Sequence, residues 1–237
     1  MGLITSEIWA NRSQFWSDLE CCDWFEFRSD TFKNDDEAFE ALKEVQEEKG
    51  PRSILLTTRL KRDGGLLDDQ DASGRIHFWQ KAANQNLYDW IDIELEEPDL
   101  MVEFIDSKPS HIKVLCSHHN FESGHTISEL NFFAAKAKTL GADGLKFALM
   151  FQEEKEEKDL YEFIMSDLPI ELYAAFGMGP RGKSSRVLGP LLGAPLTYGY
   201  AGDKESAPGQ WPLKKLREAL DMFSKMDLSV DELLKAL

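Results

Sequence analysis

Apolar and polar residues alternate in short runs along this chain, separated by longer stretches that carry one apolar stripe. In Trp24-Phe25-Glu26-Phe27-Arg28 the phenylalanines share one face and Glu26 and Arg28 the other, the two-residue period of a strand. Trp90–Leu95 sets Ile91, Ile93 and Leu95 against Asp92 and Glu94. Gly144–Leu149 sets Leu145, Phe147 and Leu149 against Gly144, Lys146 and Ala148. Ser117 pairs with His119 in the same sense, and Thr57 with Arg59. The pattern predicts strands at Leu3–Thr5, Trp24–Arg28, Ser53–Arg59, Trp90–Leu95, Lys113–His119, Gly144–Leu149, Ile170–Ala175 and Pro195–Gly199.

Helices are predicted between them. Asp35–Glu48 places Phe39, Leu42 and Val45 on one stripe, the spacing of a half-buried helix. Thr126–Leu140 opens on the capping box Thr126-Ile127-Ser128-Glu129 and is followed by Gly141, a residue suited to ending a helix. Ser229-Val230-Asp231-Glu232 predicts the start of a last short helix.

Eight strands alternating with helices in 237 residues match an α/β (β/α)8 TIM barrel, read as a single domain over residues 1–237. The rival is a doubly wound open sheet. It lacks support, because no Gly-x-Gly-x-x-Gly follows the first strand and no phosphate loop of the Gly-Lys-Ser/Thr type occurs. In a barrel the apolar faces pack on outer helices, and the polar set converges inside, near the C-terminal strand ends where barrel active sites lie.

Composition narrows the partners. A net charge of −16 argues against nucleic acid or an anionic membrane surface. The acidity falls mostly on helix surface, as in Asn34-Asp35-Asp36-Glu37 and Glu153–Glu157. No apolar run approaches the ~18 residues that span a bilayer, and Met1–Trp9 lacks the pattern of a secretion signal. Cys21, Cys22 and Cys116 have no metal-ligand spacing and read as small residues of a reducing cytoplasm. His77, His111 and His125 are expected exposed and likewise without ligand spacing, and Trp9 and Trp16 are expected as surface packing residues. Neither metal nor cofactor is expected.

Lys146 changes the picture most. An ammonium inside an apolar strand must be paired or must lose its proton, and a neutral lysine attacks carbonyls. Residue chemistry alone leaves two readings open: a Schiff-base nucleophile, or a lysine ion-paired in a polar core. His119 ends a neighbouring strand as a candidate proton carrier, while His118 faces the other way.

The motifs resemble those of type I 3-dehydroquinase, a Schiff-base enzyme family of the shikimate pathway. Phe25–Asp30 is similar to the family's Glu-x-Arg-x-Asp strand, and Arg59–Gly65 to its Arg-x-x-x-Glu-Gly-Gly loop. Ser117-His118-His119-Asn120-Phe121 resembles Ser-x-His-Asp-Phe. Ser185-Arg186, Gly193–Gly199 and Ser206-Ala207-Pro208-Gly209-Gln210 resemble the C-terminal signature. Asp63 stands where the family usually has Glu, Asn120 replaces its Asp, and the N-terminal strand and helix are shorter.

The resemblance implies dehydration of 3-dehydroquinate to 3-dehydroshikimate by a cytoplasmic homodimer. Lys146 is then the nucleophile, His119 the general acid and base, and Asp63 the residue that orients His119, directly or through water. Glu26 and Arg28 are expected at the substrate hydroxyls, and Arg59 is expected to bind the substrate as part of the positive set Arg28, Arg59, Lys146 and Arg186. Arg186 is expected to hold the substrate carboxylate, with Ser206 and Gln210 on a closing loop. Asp92 and Glu94 are expected to neutralise Arg28, Arg59 or Lys146. The alternative is another Schiff-base barrel, such as a class I aldolase, using the glycine-rich run Gly177–Gly182 to bind phosphate; a non-catalytic small-molecule binder on the same barrel is a third reading.

Overall fold

The computed structural model describes residues 1–68, 74–205, 207–226 and 232. The predicted Ser229–Glu232 helix start lies, apart from Glu232, outside the described residues. The strands are β1 (Gly2–Ile4), β2 (Trp24–Arg28), β3 (Ser53–Thr57), β4 (Trp90–Glu94) and β5 (Lys113–Asn120). They continue as β6 (Gly144–Met150), β7 (Leu172–Met178), β8 (Gly199–Tyr200) and β9 (Trp211–Pro212). The sheet runs β7-β6-β5-β4-β3-β2-β1-β8-β9, with every pairing parallel.

The eighth run closes the ring. Leu196 N–H donates to the Tyr173 carbonyl of β7 (3.1 Å), while Gly199 N–H donates to Met1 (3.1 Å) beside β1. The regular part of β8 begins later than the predicted Pro195, because proline has no N–H to give a ladder. β7 starts two residues later than predicted and runs on to Met178, in register with Met150 of β6. Its small residues Ala174, Ala175 and Gly177 weaken the strand signal there, and the pairing with β6 overrides it. Thr5 leaves β1 to cap the next helix, accepting from Ile8 N–H at 3.3 Å.

The helices are α1 (Ser6–Ala10), α2 (Arg12–Leu19), α3 (Asp35–Glu48), α4 (Arg75–Ala83) and α5 (Pro98–Ser107). They continue as α6 (Ile127–Thr139), α7 (Glu154–Ile164), α8 (Gly179–Gly182), α9 (Ser185–Leu192) and α10 (Leu213–Phe223). α3 has the predicted bounds and buries Phe39, Leu42 and Val45. α6 carries the predicted capping box between Thr126 and Glu129, and Gly141 takes φ +90°, which a glycine accepts without strain.

Burial follows the alternation. Phe25, Phe27, Ile54, Leu56, Ile91, Ile93, Leu145 and Phe147 pack outward in the layer beneath the helices. Inside the ring lies a second apolar group containing Leu3, Leu55, Trp90, Leu115 and Leu196. Trp24 and Trp90, at the starts of their strands, pack with ring centroids 5.6 Å apart and planes tilted by 53°. This plug fills the N-terminal end of the barrel. Further along the same strands the inward residues become Glu26, Thr57, Asp92, Ser117 and Lys146, all buried. The sequence therefore places charge only towards the C-terminal strand ends. Trp9, expected at the surface, is buried at 5% exposure; its indole N–H reaches Glu44 (3.1 Å). Burying the large ring while giving the N–H a polar partner meets both needs of a tryptophan.

Candidate active site

A cavity of about 240 Å³ opens at the C-terminal end of the barrel. Among its lining residues are Glu26, Arg28, Arg59, Asp63, His119, Lys146, Arg186 and Gln210. Eight of the nine residues singled out from sequence thus meet in one place. The ninth, Ser206, lies outside the described residues.

Lys146 projects from the middle of β6 at 5% exposure. Its Nζ lies 3.6 Å from both Glu26 Oε2 and Asp92 Oδ2, and 4.6 Å from the Tyr198 ring centroid. Burial holds the ammonium below its ordinary pKa, against the pull of Glu26 and Asp92. The two sequence readings of this residue therefore coexist: Lys146 has ionic partners and still tends towards the neutral amine.

Arg59 is the hub beneath it. Its Nη2 donates to Asp92 Oδ2 (2.6 Å), and its Nη1 to Glu94 Oε1 (3.1 Å) and Ser117 Oγ (2.9 Å). Ser117 Oγ donates in turn to Asp92 Oδ1 (2.5 Å). Glu94 also accepts from Arg75 (3.0 Å), and Arg75 reaches Glu97. Asp92 and Glu94 thus neutralise Arg59 and Lys146, as expected, with Arg75 in addition. Nothing in the sequence marked Arg75, because it joins this network from a helix rather than from a strand. Burial pushes the Glu94 carboxyl up to about 7.

Arg28 holds Asp30 with two parallel bonds, Nε to Oδ1 (2.9 Å) and Nη2 to Oδ2 (2.8 Å). Asp30 also accepts from the backbone N–H of Arg59 and Leu66 (3.1 Å each). It thereby fixes the loop that carries Asp63. That loop folds back on itself, with Gly64 at φ +80° and Leu60 bridging Leu67.

His119 lies near the end of β5, stacked on Phe121 with centroids 6.2 Å apart. The ring keeps some accessible surface through the cavity mouth, but Nδ1 is buried and has no hydrogen-bond partner among the described residues. Burial, with Arg59 and Lys146 nearby, lowers its pKa well below 6.5. Asp63 borders the same cavity, yet its carboxylate accepts from Arg62 Nε (3.3 Å). The structure brings Asp63 and His119 together without a hydrogen bond between them. His118 points outwards: Nδ1 meets Glu96, Nε2 lies 2.9 Å from His125 Nε2, and the ring packs on Phe133. His125 is accordingly half-buried, whereas its sequence surroundings suggested exposure.

Arg186, the second residue of α9, is 1% exposed. Its Nε, Nη1 and Nη2 have no hydrogen-bond partner among the described residues. The guanidinium lies 4.1 Å from the Phe176 ring centroid, and burial lowers its pKa to about 10. The glycine-rich run read as a possible phosphate loop serves packing instead. A Cβ on Gly182 would sit 2.2 Å from the backbone of Gly177. Ser185 Oγ ties the two, accepting from Gly177 N–H (2.7 Å) and donating to the Gly182 carbonyl (2.6 Å). Gln210 Oε1 accepts from Ala207 N–H (3.1 Å), which folds the 207–210 turn over the cavity. Sequence reading passed over Phe121, Phe176 and Tyr198, though the inward parity of Leu196 and Tyr198 carried a signal. Among the described residues no cluster of three or more His, Cys, Asp or Glu is set to hold a metal ion, and no helix is long and apolar enough to cross a membrane.

Comparison with known proteins agrees with this geometry. A family model described as type I 3-dehydroquinase matches residues 10–227. The 3-dehydroquinate dehydratase of Methanocaldococcus jannaschii is 31% identical over 212 residues, covering 89% of this chain and 90% of that protein. The protein of the same name from Klebsiella pneumoniae is 31% identical over 215 residues, covering 85% and 83%. A crystal structure of type I 3-dehydroquinate dehydratase from Clostridium difficile, with covalently modified comenic acid, superposes with a TM-score of 0.81 at 28% identity, covering 94% of this chain and 91% of that one. The Geobacillus kaustophilus 3-dehydroquinate dehydratase shares the fold at the same TM-score, with 22% identity and 96% and 91% coverage. With the family match running nearly end to end and relatives aligned over most of both lengths, the chain belongs to the type I 3-dehydroquinase family.

Proposed function

We propose that this protein is a 3-dehydroquinate dehydratase that forms a Schiff base through Lys146. The observation that carries the reading is the meeting in one cavity of a buried lysine with a histidine Nδ1 and an arginine guanidinium that have no hydrogen-bond partner among the described residues. Neutral Lys146 attacks the ring ketone, and loss of water gives an iminium that draws electrons from the adjacent carbon. His119, neutral because its pKa is low, takes a proton from that carbon and leaves an enamine. The enamine expels the β-hydroxyl, and protonated His119 returns the proton to the departing water. Hydrolysis of the conjugated iminium frees product and lysine.

Arg186 holds the substrate carboxylate with its planar fork. Glu26 and Arg28 line the hydroxyl side, Arg59 sets the carboxylates around Lys146, and Asp63 orients His119 once the loop tightens. Gln210, with Ser206, belongs to the turn that covers the ring and excludes water. Residues 1–237 act as one barrel domain, supported by the continuous sheet from β7 to β9. Family resemblance supports a homodimer working in the cytoplasm, which light scattering and fractionation test.

The decisive experiment adds borohydride during turnover while absorbance follows the conjugated enone. Activity should vanish and a ligand-derived mass should remain on Lys146. An adduct on a different lysine overturns the assignment.

A further inference from the structure

Tyr198 is 2% exposed, lies in the run that closes the barrel, and borders the cavity. Its hydroxyl has no hydrogen-bond partner among the described residues. Its ring face sits 4.6 Å from Lys146 Nζ, and the ring meets that of Phe176 with centroids 5.3 Å apart. Phe176 in turn lies 4.1 Å from the guanidinium of Arg186. Lysine and arginine are therefore joined through two aromatic rings. Thr197 Oγ1 donates to the Arg186 carbonyl (2.8 Å), so the run bearing Tyr198 and the helix bearing Arg186 are fastened together.

We propose that Tyr198 is a further catalytic residue: its ring face supports the positive charge on the Lys146 nitrogen through the iminium stage, and its hydroxyl donates a hydrogen bond to an oxygen of the bound substrate. The proposal rests on the Schiff-base reading above. A ring quadrupole attracts a cation most strongly where water is excluded, as at this buried nitrogen. Unlike Glu26 and Asp92, the ring cannot accept the proton that the amine must lose. A buried phenol ordinarily has a partner for its O–H. Tyr198 borders the cavity, so a bound substrate is at hand to supply one. Burial, with Glu26 and Asp92 nearby, raises the phenol well above its usual range, so it remains a donor at every working pH.

Two substitutions separate the roles. Tyr198→Phe keeps the ring and should raise KM by about 2- to 13-fold, the span of one neutral hydrogen bond, with kcat little changed. Tyr198→Leu removes the ring and should lower kcat by about 5- to 30-fold. It should also move the Lys146 titration to lower pH, since the ammonium loses a stabilising neighbour. That titration is read without substrate, from the pH dependence of Lys146 modification by cyanate, located by mass spectrometry. A merely structural tyrosine would lower Tm in the Leu variant without moving this titration. If Leu unfolds the barrel, Tyr198→Met supplies an unbranched apolar replacement. Failure of the Schiff-base reading shows itself separately, as wild-type protein with neither turnover nor borohydride adduct. Wild-type KM in the Phe variant together with an unmoved Lys146 titration in the Leu or Met variant overturns the role of Tyr198.

Discussion

Arg186 borders the cavity, and its guanidinium nitrogens are buried with no hydrogen-bond acceptor among the described residues. A buried cation without an anion destabilises the folded chain, by an amount that reaches several kcal/mol. The stacked Phe176 ring offsets part of it. The pKa of about 10 still leaves the group charged at neutral pH, and under the proposed function the anionic substrate is its partner. Arg186→Leu should therefore raise the Tm of the free protein while raising KM by roughly one to two orders of magnitude, the worth of hydrogen bonds to a charged group. Substrate or product should stabilise the wild type against heat more than the variant at the same concentration. A destabilised Arg186→Leu with wild-type KM would contradict this. At this scale Lys146 and His119 were legible from strand parity and motif together, and Arg186, which lies on a helix, from the motif alone. The partner of Asp63 was not, since a loop backbone decides whether that carboxylate meets Arg62 or His119.

The elements position these residues through close backbone approach. β7 and α8 touch at Gly177 and Gly182, and α9 begins three residues later with Arg186 in its first turn. Gly182→Ala would drive a methyl into the Gly177 backbone, an overpacking that costs about 1–3 kcal/mol. At about 2–4 °C per kcal/mol for a domain of this size, Tm should fall by roughly 2–12 °C, with a rise in KM as Arg186 shifts. Gly74→Ala is the control, because among the described residues nothing lies within 4 Å of the added Cβ. Equal behaviour of the two variants would remove the packing role. The α3 and α6 boundaries were readable from apolar stripe and capping residues, which act locally. The start of β7 and the brevity of β8 were not, because ladder pairing with a distant strand decides them.

Over the whole molecule, an acidic exterior surrounds a cavity bordered by Arg28, Arg59, Lys146 and Arg186. The eight-strand barrel was legible because alternation recurs around the ring, but the ion network through Arg75 needed the tertiary fold. Burial, with Arg59 and Lys146 nearby, makes acid destabilising at His119. Its pKa is lowered in the folded state, so between 6.5 and that lower value the unfolded chain binds a proton that the folded chain does not. Stability from this group is intact above pH 6.5 and is lost as pH falls through the folded value, by at most about 1.4 kcal/mol per pH unit. His119→Asn should flatten that part of the curve, measured by urea unfolding at successive pH values; an unchanged slope would sink the assignment. The ring closure carries a different consequence, one of time. Gly202 N–H reaches Asp18 across 184 positions, and Arg217 of α10 reaches the Cys21 carbonyl across 196. On a ribosome β1 waits until Gly199, the partner of Gly2, has been made before its second neighbour emerges. Two unpaired strand edges stay open meanwhile, the condition in which parallel sheets fold slowly and recruit other chains.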